Sequence, residues 1–131
     1  PENVVYLELN DVLQIHADLF GITDQQAADH LRNADGLHSV LARPRQYAYY
    51  QEADLALQGA VVSHGIAEGQ LFVDGNKRTA AACLLAFLAD NQLTLNCTAQ
   101  NLADWIMDLS HGCAAEELAA RVRGALVPFE P

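Results

Sequence analysis

Positive charge is scarce in this sequence. Seven Lys and Arg residues stand against seventeen Asp and Glu, a formal net charge of −10, and Lys77 is the only lysine. Such a balance argues against a nucleic-acid binder. Long apolar runs are missing as well. None reaches transmembrane length, and the first residues lack the basic-then-apolar pattern of a signal peptide, so a cytoplasmic protein without membrane contact is expected. Cysteine is sparse and odd in number: Cys83, Cys97 and Cys113, with no Cys-x-x-Cys spacing. Reduced thiols are expected rather than a zinc site or a disulfide framework. Repeats, low-complexity segments and linkers are absent. With 131 residues and 51% hydrophobic side chains, the chain reads as a single domain over 1–131 with one core.

The few cations are unevenly placed. Four of the seven fall in two pairs, Arg43 with Arg45 and Lys77 with Arg78. Chance clustering of so few residues accounts for this as well as a reserved anion site does. The second pair lies in the densest stretch, Gln70-Leu71-Phe72-Val73-Asp74-Gly75-Asn76-Lys77-Arg78-Thr79, ahead of an alanine-rich apolar run. This spacing predicts a turn feeding the N-terminus of a buried helix. Free backbone N–H groups at such an end, with the positive end of the helix dipole, favour an anion. Gly75 permits a close backbone approach. Lys77 and Arg78 suit phosphate oxygens, and Asp74 is a hard oxygen ligand of the kind that holds magnesium beside phosphates. The same residues also serve ordinary turn and N-cap chemistry.

Elsewhere the pattern is helical. Val4–Leu7 reads as a short extended lead-in. Asn10 and Asp11 offer caps for a first helix through about Phe20, which Gly21 ends. Thr23 and Gln26 form a capping box for a second, stopping near Asn33–Gly36. His16 and His30 lack metal-ligand spacing and are expected at the surface or its edge. Alternation in Leu37–Leu41, then Pro44 and the Tyr47, Tyr49, Tyr50 cluster, suggests a small hairpin or an ordered loop. A long helix follows over Gln51–Glu68. His64 lies within it, a position from which it would have to reach well beyond the helix to act as a base. The central helix is expected over Asn76 to about Asn91, with Cys83 an inert core thiol. Another is capped by Thr98, with Leu102, Trp105, Ile106 and Leu109 on one face. A last one carries Glu116 and Glu117 at its start and Arg121 and Arg123 near its end, before a fraying tail through Pro128 to Pro131. The expected architecture is all-α, about six helices with a small β-hairpin.

Phe72-Val73-Asp74-Gly75-Asn76-Lys77-Arg78-Thr79-Ala80 resembles the signature loop of the Fic/Doc family, H-x-F-x-D/E-G/A-N-K/G-R. Lys77 followed by Thr79-Ala80 resembles the Doc (death-on-curing) branch, whereas Gly75 is more Fic-like. The segment containing Val40, Leu41, Ala42, Arg43 and Arg45 resembles the family's flap, a β-hairpin that pairs with an extended piece of the target protein. Family members transfer part of a nucleotide to a hydroxyl of a target protein. Most move AMP; the Doc branch moves the terminal phosphate of ATP onto a translation factor and is restrained by an antitoxin in trans. The family's self-inhibitory pattern, Ser/Thr-x-x-x-Glu-Gly/Asn, is not evident here.

Carried over by position, the resemblance implies that Phe72 anchors the loop and Asp74 holds Mg2+. Gly75, Asn76 and Lys77 cradle the nucleotide phosphates, and Arg78 reaches them from the helix start. It also implies that the catalytic base belongs at Gln70, where the family has histidine. Glutamine accepts a hydrogen bond but cannot serve as a base near neutral pH. Three readings follow. One is a Doc-like toxin impaired by Gln70. The others are a Fic-type AMP transferase and a nucleotide-binding pseudoenzyme or interaction module.

Overall fold

The computed structural model describes residues 3–130. Local signals account for most of its helix starts. The helix α1 (Leu9–Phe20) ends where Gly21 turns left-handed, at φ 64°, and returns its N–H to the Ala17 carbonyl. The short α2 (Asp24–His30) opens on a reciprocal capping box in which Thr23 and Gln26 each accept the other's backbone N–H. Asn33 caps α3 (Ala34–Gln51), Asp54 caps α4 (Leu55–Glu68), and Thr98 caps α6 (Ala99–Leu109). The remaining helices are α5 (Asn76–Asp90) and α7 (Ala115–Ala125).

The fold is all-α, built on α4. That helix is buried along most of its length and packs on α3, α5 and α7. Its small residues, Gly59, Ala60, Ser63, Gly65 and Ala67, leave room for these neighbours. Gly65 shows how closely: a Cβ there would lie 2.6 Å from a Val40 methyl of α3. Ser63 donates to the Ala80 carbonyl of α5 at 3.0 Å, so even the polar side chain at this contact is satisfied. Cys83, fully buried on α5, has its thiol pushed up to about 12 by burial, with the Asp11 carboxylate adding to the effect. It is the inert core thiol expected. No helix among the described residues is long and apolar enough to cross a membrane.

Three expectations are corrected. Leu37–Tyr50 is not a hairpin but the body of α3, which raises the helix count to seven among the described residues. Its buried residues are Leu37, Val40, Leu41 and Pro44, an i, i+3, i+4, i+7 stripe; burial of that stripe offsets the backbone bond that Pro44 cannot make. The tail does not fray at Pro128. Leu126–Pro128 forms β2, antiparallel to β1 (Leu93–Leu95), with Thr94 opposite Val127; Pro131 lies outside the described residues. Finally, His16 is not at the surface. Only 1% of it is exposed, on the same face of α1 as Val12.

Candidate active site

The stretch Leu71–Val73 is stitched to the exit of α2. Leu31 and Phe72 form an isolated antiparallel bridge. Arg32 donates its N–H to the Leu71 carbonyl at 2.8 Å, and Val73 donates to the His30 carbonyl at 2.9 Å. Phe72 is fully buried. The chain then turns through Asp74 and Gly75 into α5. Asn76 closes this turn with its side chain: its Oδ1 accepts from Phe72 N–H at 2.9 Å and its Nδ2 donates to the Phe72 carbonyl at 3.0 Å. The Asn76 side chain is therefore committed to the loop itself, and its backbone N–H is the group left for the phosphate cradle that the resemblance implies.

Gly75 is the N-cap of α5, with φ 77°, and no side chain caps the helix there. A Cβ at residue 75 would collide with the ring of Phe20. The α5 bond nearest the start is Thr79 N–H to the Gly75 carbonyl, at 3.0 Å. The N–H groups of Asn76, Lys77 and Arg78 thus precede the helical ladder and have no intrahelical acceptor. They lie at a cleft of about 300 Å³ lined by Gln70, Asp74, Gly75, Asn76, Lys77 and Arg78, together with Ala67 and Val73. The residues expected from the signature loop, Phe72 apart, are thereby brought to one hollow.

Within it their states differ. Asp74 is exposed; its Oδ1 accepts the Gly75 N–H at 2.8 Å, which orients the carboxylate. Arg78 stands over the Phe20 ring, 4.6 Å from its centroid, with a long 3.5 Å contact to the Leu19 carbonyl. Gln70 is exposed at the cleft in a left-handed conformation, φ 51°, that few residues other than glycine adopt. His64 lies elsewhere, lining clefts between α3 and its neighbours but not the one at Gln70.

Two supporting residues escape a reading of the sequence. The buried His16 ring stacks on Phe72, with centroids 4.0 Å apart and planes 6° from parallel, and its Nδ1 is 2.8 Å from Thr79 Oγ1. Phe20, from the same helix, lies under Gly75 and Arg78. The only available signal was periodicity: His16 falls four residues after Val12 on an otherwise apolar face.

The donor set fits a magnesium-bound polyphosphate. It offers three free N–H groups at a helix start, one lysine, and one carboxylate. Magnesium commonly takes one or two protein carboxylates and fills its remaining positions with phosphate oxygens and water. Among the described residues no group of three or more His, Cys, Asp or Glu side chains is placed to hold a metal ion, so Asp74 would act with the phosphates rather than in a protein cage.

A model of the Fic/DOC family matches residues 6–88. The chain belongs to this family, whose members generally transfer nucleotide or phosphate groups to proteins. The match spans the first helix, the helix that replaces the hairpin, the signature loop and most of α5. A search of curated proteins found no match.

Proposed function

We propose that the protein is a Doc-like member of the family, built to transfer the terminal phosphate of ATP to a hydroxyl of a target protein and slowed by Gln70. One observation carries this reading. Asn76, Lys77 and Arg78, whose N–H groups have no intrahelical acceptor, line the same cleft as Asp74 and Gln70. In such a transfer the target oxygen bonds to the γ-phosphorus, the bond to the β-phosphate oxygen breaks, and ADP leaves. Magnesium, when bound, neutralises phosphate charge. The chain itself positions the phosphates with the α5 backbone and Lys77, and Asp74 would hold the metal. With no base at residue 70, the hydroxyl proton passes to solvent water, which is why the transfer is slow. The Gln70 amide can orient the hydroxyl by a hydrogen bond but cannot take its proton.

By resemblance alone Gly75 favours AMP transfer, because it is Fic-like. Its place in the fold gives it another cause: a left-handed φ and the Phe20 ring leave no room for a side chain. That removes its weight between the two chemistries, and Lys77 then favours phosphate transfer. The proposed setting is a toxin restrained by an antitoxin in trans, acting on a translation factor. The test is Gln70→His with ATP labelled separately at the α and γ positions. Histidine is among the residues enriched in left-handed backbone, so the change should leave the loop intact and raise transfer by about 10²–10⁴-fold. Transfer of γ label supports the proposal; α label supports AMP transfer. If neither label moves, the chain is a binding protein.

A further inference from the structure

Most of the cations are engaged within the fold. Arg121 and Arg123 pair with Asp108 and Asp54, each at 2.7 Å. Arg45 lies over the Tyr6 ring at 4.3 Å, and Arg78 over Phe20. Arg32, Arg43 and Lys77 have no carboxylate within salt-bridge distance among the described residues. Arg32 is hydrogen-bonded through its backbone to Leu71, and Lys77 lines the signature cleft. In a chain of net charge −10, the unpaired cations thus lie around the signature loop or, for Arg43, beside it.

Arg43 occupies a defined place. A Cβ at residue 65 would be 3.1 Å from Arg43 Nη1, so the guanidinium lies against the α4 backbone where Gly65 leaves it space. With His64 it lines two clefts, which therefore adjoin. One, of about 410 Å³, reaches Ala114–Glu116 at the start of α7. The other, of about 310 Å³, includes Asn33 and Ser39 and reaches Gly69 and Leu71, the two neighbours of Gln70. Each cleft has one carboxylate on its wall, Glu116 in the first and Glu68 in the second, and neither pairs with Arg43. A forked donor left free beside such a groove is suited to a carboxylate brought by another molecule.

We propose that this α3–α4 groove receives an acidic segment of the protein substrate, with a carboxylate on Arg43 and the hydroxyl to be modified led to Gln70. The proposal rests on the transfer reading above. His64 lies four residues before Glu68, the end of α4, about 6 Å at helical rise, and Gln70 follows two residues beyond the helix. An extended segment covers that in about three residues, so the acidic side chain belongs two or three residues from the hydroxyl.

The probe is a fluorescein-labelled peptide with one threonine and glutamates two and three residues to either side, compared with its lysine counterpart. Binding is measured by anisotropy and by amide shifts, on the Gln70 protein without ATP, so that no turnover is needed. Mg-ATP titration is run separately, which distinguishes failure of the groove from failure of the phosphate site. The acidic peptide should bind and the lysine peptide should not, with shifts at His64, Gly65 and Gly69. Arg43→Gln should weaken binding about tenfold or more. It should leave Mg-ATP affinity unchanged, and Arg45→Gln should have no effect on the peptide. Amide shifts in the unaltered protein keep the test valid if Arg43→Gln folds poorly. Equal binding of the two peptides, no binding of either, or shifts confined to the Lys77 cleft would overturn the proposal. So would self-association that is lost in Arg43→Gln, which would give the groove to a second copy.

Discussion

The imidazole of His16 lies flat on the ring of Phe72 and also hydrogen-bonds Thr79. One buried side chain of α1 therefore holds the signature loop on both sides, at its entry and one turn into α5. Burial lowers the His16 pKa below its usual 6.5, and the nearby His30 adds to this, while the Asp74 carboxylate opposes it. Because the folded value is lowered, the unfolded chain takes up the proton first. This contribution to stability is complete above the usual value and is lost as pH falls from there toward the lowered folded value. Urea midpoints followed from about pH 7.5 to about pH 5 should fall more steeply in the natural protein than in His16→Gln. Parallel pH profiles for the two would show that His16 has no such role.

Asn76 should matter for the loop before it matters for any ligand. Replacing it with alanine removes both bonds to the Phe72 backbone. A loss of about 1–3 kcal/mol in urea denaturation is expected, since it strands partly buried donor and acceptor groups. Nucleotide affinity should drop with it, because the α5 N–H groups lose their fixed direction. Unchanged stability with weakened Mg-ATP binding would mean instead that the amide contacts the nucleotide directly.

Gly75→Ala faces two obstacles, a left-handed backbone and the Phe20 ring. The first alone costs about 1–2 kcal/mol. Combining the change with Phe20→Ala should remove the second, so the double variant should be more stable than the sum of the two single losses implies. A double-mutant cycle in urea measures this coupling; simple additivity would mean that the ring moves aside freely.

Cα chemical shifts should be helical throughout Ala34–Gln51, Pro44 included. Strand-like shifts over Leu37–Tyr50 would restore the hairpin and remove the groove beside Arg43.

What could be read in advance was local. Thr23 with Gln26, Thr98 with the leucine stripe behind it, and Gly75-Asn76 ahead of an alanine run each carry their signal within a few residues, and each appears in the fold as expected. In α3 the local signal of Pro44 points against a helix, and the apolar stripe on which it sits outweighs it. A proline inside a helix forfeits one bond, whereas Leu37, Val40 and Leu41 bury a whole face. The pairing of β1 with β2, the tie between Leu31 and Phe72, and the stack of His16 on Phe72 are contacts between distant parts of the chain. Nothing near any one of those residues announces its partner. Gln70, by contrast, could be singled out only through the family resemblance, and its left-handed backbone became visible only in the fold.

The α3 helix also limits how anything can be recognised beside Gln70. A ribbon edge offers its peptide groups to any extended visitor regardless of composition, whereas the middle of a helix has already used its own peptide groups. On the α3 side, a visitor must be sorted by the chemistry of its side groups. Selectivity on that side is therefore written in a handful of replaceable positions, Arg43 foremost among them.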